Sequence, residues 1–209
     1  MDETNKQLVA ETRTPLPPKP GQPERYDYEY ERNGTSNIFL FTEPLGGRRR
    51  VAVTDRRTKV DWAWQVRDVL AVDYPEAKRV TLVSDNLNTH TCASLYEAFE
   101  PAEARRLMAR LEMVHTPKHG SWLNIAEIEL NVLWRQCFCQ VIGDKAKLTQ
   151  EVAAWEADRN VSQTGVDGQL PSADARIKLK RPYSKLTAQQ PTSRARRRPA
   201  RRFFPDPYS

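Results

Sequence analysis

The chain has 209 residues, 39% of them hydrophobic and 29% charged, with a formal net charge of +6. That is enough for one compact domain with a real core and a tail, and it excludes a membrane span, because no apolar run nears the ~18 residues a span needs. The acid-bearing start, Met1 to Ala10, has no apolar stretch of a secretory leader, and three cysteines without framework spacing argue for a reducing compartment rather than a disulfide scaffold.

Residues 1 to 10 read as a short strand, ending in Lys6-Gln7-Leu8-Val9-Ala10. Between residues 13 and 25, Pro15, Pro17, Pro18, Pro20 and Pro23 with Gly21 rule out a helix or a central strand and predict an extended surface connection. Asn33-Gly34 is a turn signal. Ile38 to Phe41 reads as a buried strand, Gly46-Gly47 as a second turn, and Val51 to Thr54 as a third strand in an antiparallel meander. Asp61 is placed to cap a helix running to about Val72, with Trp62, Val66, Val69 and Leu70 at helical spacing. Lys78 to Val83 is a short strand with Asp85 just past its tip. Helices are expected over Cys92–Phe99 and Pro101–Arg110, and a last strand over Leu111–His115.

Ser121 is expected to cap a helix of about twenty residues, on which Leu123, Ala126, Leu130, Leu133, Trp134 and Phe138 recur at helical spacing. Glu127 lies at one edge of that stripe and Glu129 projects roughly opposite. A final helix covers about Leu148 to Asn160. From Lys185 onward the chain is low in complexity and rich in Pro, Arg, Ser and Thr. Seven basic residues against one acid in that tail carry the whole net charge, so residues 1 to 184 are neutral overall. A tail of this kind is either a disordered solvated extension or a phosphate contact.

The order of strands and helices resembles that of ribonuclease-H-like domains, an α/β fold with a mixed five-stranded sheet flanked by helices. There the tips of the first and fourth strands lie side by side and the last helix runs across them. The expected organisation is a domain over 1–183 and a disordered Arg-rich tail over 184–209.

Three acids then become candidates for one site: Asp2, Asp85 and Glu127. Hydrolysing a phosphodiester requires an activated water and neutralisation of charge on the phosphate, which two hard cations ~3.5–4 Å apart supply. Magnesium takes oxygen ligands and keeps several waters, so a few carboxylates suffice. Taken singly, Asp85 reads equally as a turn residue, Glu127 as a solvated helix face, and Asp2 as uninformative. A zinc site is disfavoured. His115 and His119 flank a proline, and Cys137 and Cys139 on one helix point ~200° apart. Cys92 reads as a packing residue, as do Trp62, Trp64, Trp134 and Trp155.

The words Asp85-Asn86-Leu87-Asn88-Thr89-His90 and Thr116-Pro117-Lys118-His119-Gly120-Ser121-Trp122-Leu123-Asn124-Ile125-Ala126-Glu127 resemble the catalytic domain of insertion-sequence transposases of the IS-six-thirty-like group in the Tc/mariner superfamily. Leu123 to Glu127 is similar to that superfamily's Leu-Asn-Pro-hydrophobic-Glu word, with Ile125 in place of proline. Asp2-Glu3 with Gln7-Leu8 looks like its first-aspartate strand. Weaker similarity runs through Asp27–Tyr30, Gly34-Thr35 and Ala173–Leu179. The resemblance implies a DDE-type recombinase that cuts DNA at element ends and joins the freed 3′-hydroxyl to target DNA. Carried over, Asp2, Asp85 and Glu127 hold two Mg2+ or Mn2+ ions. Asn86, Asn88 and His90 support them or contact DNA, and Lys118, His119 and Trp122 line the mouth of the site. The implied partners are double-stranded DNA and a second copy or an intact transposase, in the bacterial cytoplasm at the nucleoid. Members carry an N-terminal helix-turn-helix region, so the expectation is a truncated domain with impaired autonomous transposition. Two alternatives stand beside it: a non-catalytic DNA-binding remnant, and a free-standing nuclease of the same fold.

Overall fold

The computed structural model describes residues 1–25, 27–117, 123–163 and 165, all within one compact unit, Met1–Gln169. The boundary expected at residue 183 lies outside them, as does the tail. Five strands and five helices follow in the order β1 (Asp2–Glu11), β2 (Tyr30–Glu43), β3 (Arg48–Thr54), α1 (Lys59–Asp68), β4 (Val80–Ser84), α2 (Ala93–Ala98), α3 (Pro101–Met108), β5 (Leu111–His115), α4 (Ile125–Cys137) and α5 (Lys145–Ser162). A π-helical turn, Val69–Asp73, continues α1.

The strand β2 organises the packing. It pairs antiparallel with β1 on one side and β3 on the other. Successive side chains of a strand point to opposite faces, and β2 is apolar on both. Phe39 and Phe41 join Trp62, Val66 and Leu70 of α1 and its continuation, Leu82 of β4, Leu95 of α2 and Leu107 of α3 in one core. Ile38 and Leu40 join Leu130 and Leu133 of α4, and Leu148, Val152 and Trp155 of α5, in a second. The run Ile38–Phe41 is therefore buried throughout, between two layers of helix.

The expected five-stranded sheet is a correction. Among the described residues the strands form two sheets, β1–β2–β3 and the parallel pair β4–β5. The start of β1 stands level with the C-terminal end of β4, where the Met1 ammonium donates to the Val83 carbonyl at 2.6 Å. One such bond joins the sheets at a point without making a ladder.

Local departures have local causes. Asn33-Gly34 is no hairpin turn but lies inside β2, where the register with β1 shifts between Gln7 and Val9. Gly34 has φ +88, which a bulge accommodates as readily as a turn. The proline-rich connection folds back on itself at Pro20-Gly21, with Lys19 and Gln22 exchanging backbone hydrogen bonds of 2.9 and 2.8 Å. Gly46-Gly47 does turn the chain between β2 and β3. The cap of α1 is Thr58 rather than Asp61, which closes a capping box from the third helical position. The helix α4 spans 13 residues, not twenty, and its cap is Asn124. Ser121 lies outside the described residues.

A buried ion group ties α4 and α5 to the sheet. Arg49 of β3 and Glu129 of α4 are each 1% exposed and paired through two hydrogen bonds, Nε to Oε2 at 2.9 Å and Nη2 to Oε1 at 2.8 Å. Arg159 of α5 adds Nη2 at 3.2 Å from both carboxylate oxygens. Asn160 accepts the Arg49 backbone N–H at 2.7 Å and donates to its carbonyl at 2.8 Å. Removing one partner of a buried pair strands the other charge, so Glu129→Gln is expected to lower unfolding free energy by about 3–5 kcal/mol in chemical denaturation. A loss below about 1 kcal/mol, the worth of a surface pair, would show that the helices are held by other means.

Candidate active site

The alternation of β1 decides what each of its first residues can do. Asp2 pairs with Leu40 and Glu3 with Phe39. Directly paired residues share a face, so Asp2 looks toward the α4 side, with Leu40, and Glu3 toward the α1 side, with Phe39. Two adjacent acids are thereby sent into opposite layers.

On the α4 side, Glu127 occupies the first turn of its helix, where the helix dipole favours an acid. Asn124 sets that turn in place. It is 2% exposed, its Oδ1 accepts the Ala126 N–H at 3.3 Å, and its Nδ2 donates to the Met1 carbonyl at 2.9 Å. One amide thus caps α4 and fastens it to the start of β1. Asp85 follows Ser84 directly at the end of β4. Its carbonyl accepts from Ser84 Oγ at 3.1 Å and lies 3.2 Å from His115 Nδ1.

Asp2 feels the other two acids. The Asp2 carboxyl is pushed above its ordinary 3.8 to about 6 by burial first, with the charges of Asp85 and Glu127 adding to the rise, while the Glu3 N–H, donating to Oδ1 at 2.8 Å, pulls the other way. The structure therefore places Asp85 and Glu127 close enough to Asp2 for their charges to act on its carboxyl. Among the described residues no group of three or more His, Cys, Asp or Glu side chains is placed so that together they could hold a metal ion. Asp2, Asp85 and Glu127 are nevertheless all oxygen donors, the type a hard divalent cation takes.

On the α1 side lies His90, for which the sequence left open support of the acids or contact with DNA. His90 is fully buried, so it does not reach DNA. Its Nε2 is 3.1 Å from Glu3 Oε2 and its Nδ1 is 2.8 Å from Asp85 Oδ1, the latter out of line for a directed hydrogen bond. The ring packs against Trp62 at 5.7 Å between centroids. Burial works against a charged imidazole, but the Glu3 hydrogen bond and charge, together with Asp85, outweigh it and hold the His90 pKa above its ordinary value. Asn86 and Asn88 are exposed beside Asp85. Lys118, His119 and Trp122 lie outside the described residues. Cys137 is buried and Cys139 exposed, but they do not share a helix as expected, since α4 ends at Cys137.

Sequence reasoning missed Glu3, Asn124 and Glu129 as contributors. Glu3 was within reach, since a second acid next to a candidate ligand on a strand must face the other way. Nothing local marked Glu129 as the partner of an arginine 80 residues away.

A family model described as DDE superfamily endonuclease matches residues 1–149. The chain belongs to that family, whose enzymes act on DNA and generally use divalent metal ions. Comparisons with curated proteins and with solved structures gave no match. No helix among the described residues is long and apolar enough to cross a membrane.

The crowding of acids has a measurable sign. An acid whose folded pKa is raised binds more protons in the native state, so its ionisation costs stability as pH rises from about 4 to about 6. Asp2→Asn is expected to be more stable than wild type at pH 7, by about 1–2 kcal/mol once solvent screening of this partly buried group is allowed for, and the difference should shrink toward pH 4. Urea denaturation at the two pH values checks this, and a pH-independent difference would contradict the raised Asp2 carboxyl.

Proposed function

We propose that this chain is the catalytic domain of a DDE transposase of the IS-six-thirty-like group in the Tc/mariner superfamily, cutting DNA at insertion-sequence ends and transferring the cut strand to a target. The observation that carries the reading is the match of residues 1–149 to the DDE superfamily endonuclease family, and the charges of Asp85 and Glu127 acting on Asp2 agree with it. Three acids from a strand start, a strand tip and a helix start have no structural need of one another's company. Two of them stand in the words Asp85–His90 and Leu123–Glu127, which are similar to that group's own. The chain order of strands and helices supports a ribonuclease-H-like arrangement of the whole.

Asp2, Asp85 and Glu127 would hold Mg2+ or Mn2+, which when bound supplies charge neutralisation at the phosphate and activation of the attacking water. The residues around them do the rest. Asn124 anchors the helix that carries Glu127. Asn86 and Asn88 offer exposed amides beside Asp85 for the DNA backbone. Lys118, His119 and Trp122 are assigned to DNA at the mouth of the site by resemblance alone. The partners are double-stranded element ends and target DNA, bound as a homodimer or beside an intact transposase at the nucleoid.

Nicking of supercoiled plasmid is the direct test. It should require Mg2+ or Mn2+ and fall at least about a hundredfold in Asp85→Asn and in Glu127→Gln. Nicking that survives both substitutions overturns the reading. Cation binding must also displace the proton from Asp2, so Mn2+ affinity measured by calorimetry should hold above about pH 6 and weaken below it. Affinity that does not change between pH 5 and pH 7 would remove Asp2 from the site.

A further inference from the structure

A carboxylate at a strand tip turns freely about two bonds unless something holds it. Asp85 leaves β4 into an irregular loop, and its side chain is 34% exposed. Its Oδ1 is nevertheless buried, 2.8 Å from His90 Nδ1. The exposed part of the side chain therefore lies away from His90, on the side of the other oxygen.

His90 is itself immobilised from three directions. Its backbone N–H donates to the Leu87 carbonyl at 3.0 Å, closing the loop that begins at Asp85. Its ring rests on Trp62, which is fully buried in the first core. Its far nitrogen meets Glu3, whose side chain is only 5% exposed and whose backbone is in register with Phe39. A line of contact thus runs from the core through Glu3 and His90 to one oxygen of Asp85. A structural histidine needs no such line. Burying an imidazole and a carboxylate together without purpose costs stability, and a hydrophobic residue against Trp62 would fill the space more cheaply.

We infer that His90 is a positioning residue, braced by Glu3 and Trp62, which fixes the Asp85 carboxylate so that its outward oxygen is presented to a divalent cation. Glu3 serves the same end from the face of β1 opposite to Asp2. The inference rests on the proposed role of Asp85 as a cation ligand, and it assigns to His90 no contact with DNA and no proton transfer.

The test is Mn2+ binding to the full chain without DNA, followed by calorimetry in wild type, Glu3→Gln, His90→Asn and His90→Ala. Groups that orient a metal ligand are worth about 10–100-fold in affinity. His90→Ala and Glu3→Gln should weaken Mn2+ binding within that range. His90→Asn, whose amide nitrogen takes the place of Nδ1 toward Asp85, should recover part of it. A merely structural role would lower thermal stability without moving Mn2+ affinity in the variants that stay folded, and that outcome overturns the proposal. Should the variants fail to fold, imidazole 15N spectra of wild type decide. The chain has 3 histidines, so assignment is direct. Mg2+ should shift the His90 Nδ1 signal in wild type and leave it unmoved in Asp85→Asn. A His90 signal indifferent to saturating Mg2+ overturns the proposal while leaving the cation site standing. Wild type that binds neither Mn2+ nor Mg2+ removes the reading of the site and the inference with it.

Discussion

Like charges brought together in a partly buried place repel, and the elements around Asp2 have to hold against that. Burial lifts its carboxyl to about 6, and Asp85 and Glu127 each add to the rise. Nothing in the packing of either core requires these acids to be neighbours. The strain is sustained by devices that fix each acid separately. Asn124 fastens the start of α4 to the start of β1. His90 and Glu3 hold Asp85. The arginine–glutamate group at Arg49 and Glu129 fixes α4 two residues beyond Glu127.

The strand β1 links these devices because its faces differ. Its even-numbered start, Asp2, looks toward α4, and Glu3 looks toward α1. Each therefore draws on a different core for rigidity. The Met1 backbone lies between them, its ammonium bonded to Val83 at the end of β4 and its carbonyl to Asn124 at the start of α4. The site sits where the two sheets touch and where both helical layers begin.

Much of this could be read in the sequence where the determinants are local. The run Val80–Val83 followed by Asp85 placed an acid at a strand tip, and Leu111–His115 was a strand with the bounds the structure gives. Local signals with two meanings misled. Asn33-Gly34 marks positive φ, which a bulge needs as much as a hairpin. Thr58 and Asp61 are both cap-forming residues, and only their reciprocal bonding tells which is the cap. What could not be read was long-range. His90 and Glu3 are 87 residues apart, Arg49 and Glu129 80 apart, and no periodicity carries that information. The split of the expected sheet into two depends likewise on how β1 is set against β4.

The central claim is that Asp2, Asp85 and Glu127 serve a single divalent-cation site. Anomalous scattering from crystals of the chain grown with Mn2+ tests it most directly. The account predicts a manganese peak in contact with oxygens of Asp85 and of both other acids, at the ~2.0–2.2 Å typical of small hard cations. Manganese bound elsewhere, with these three carboxylates left uncoordinated, would contradict it.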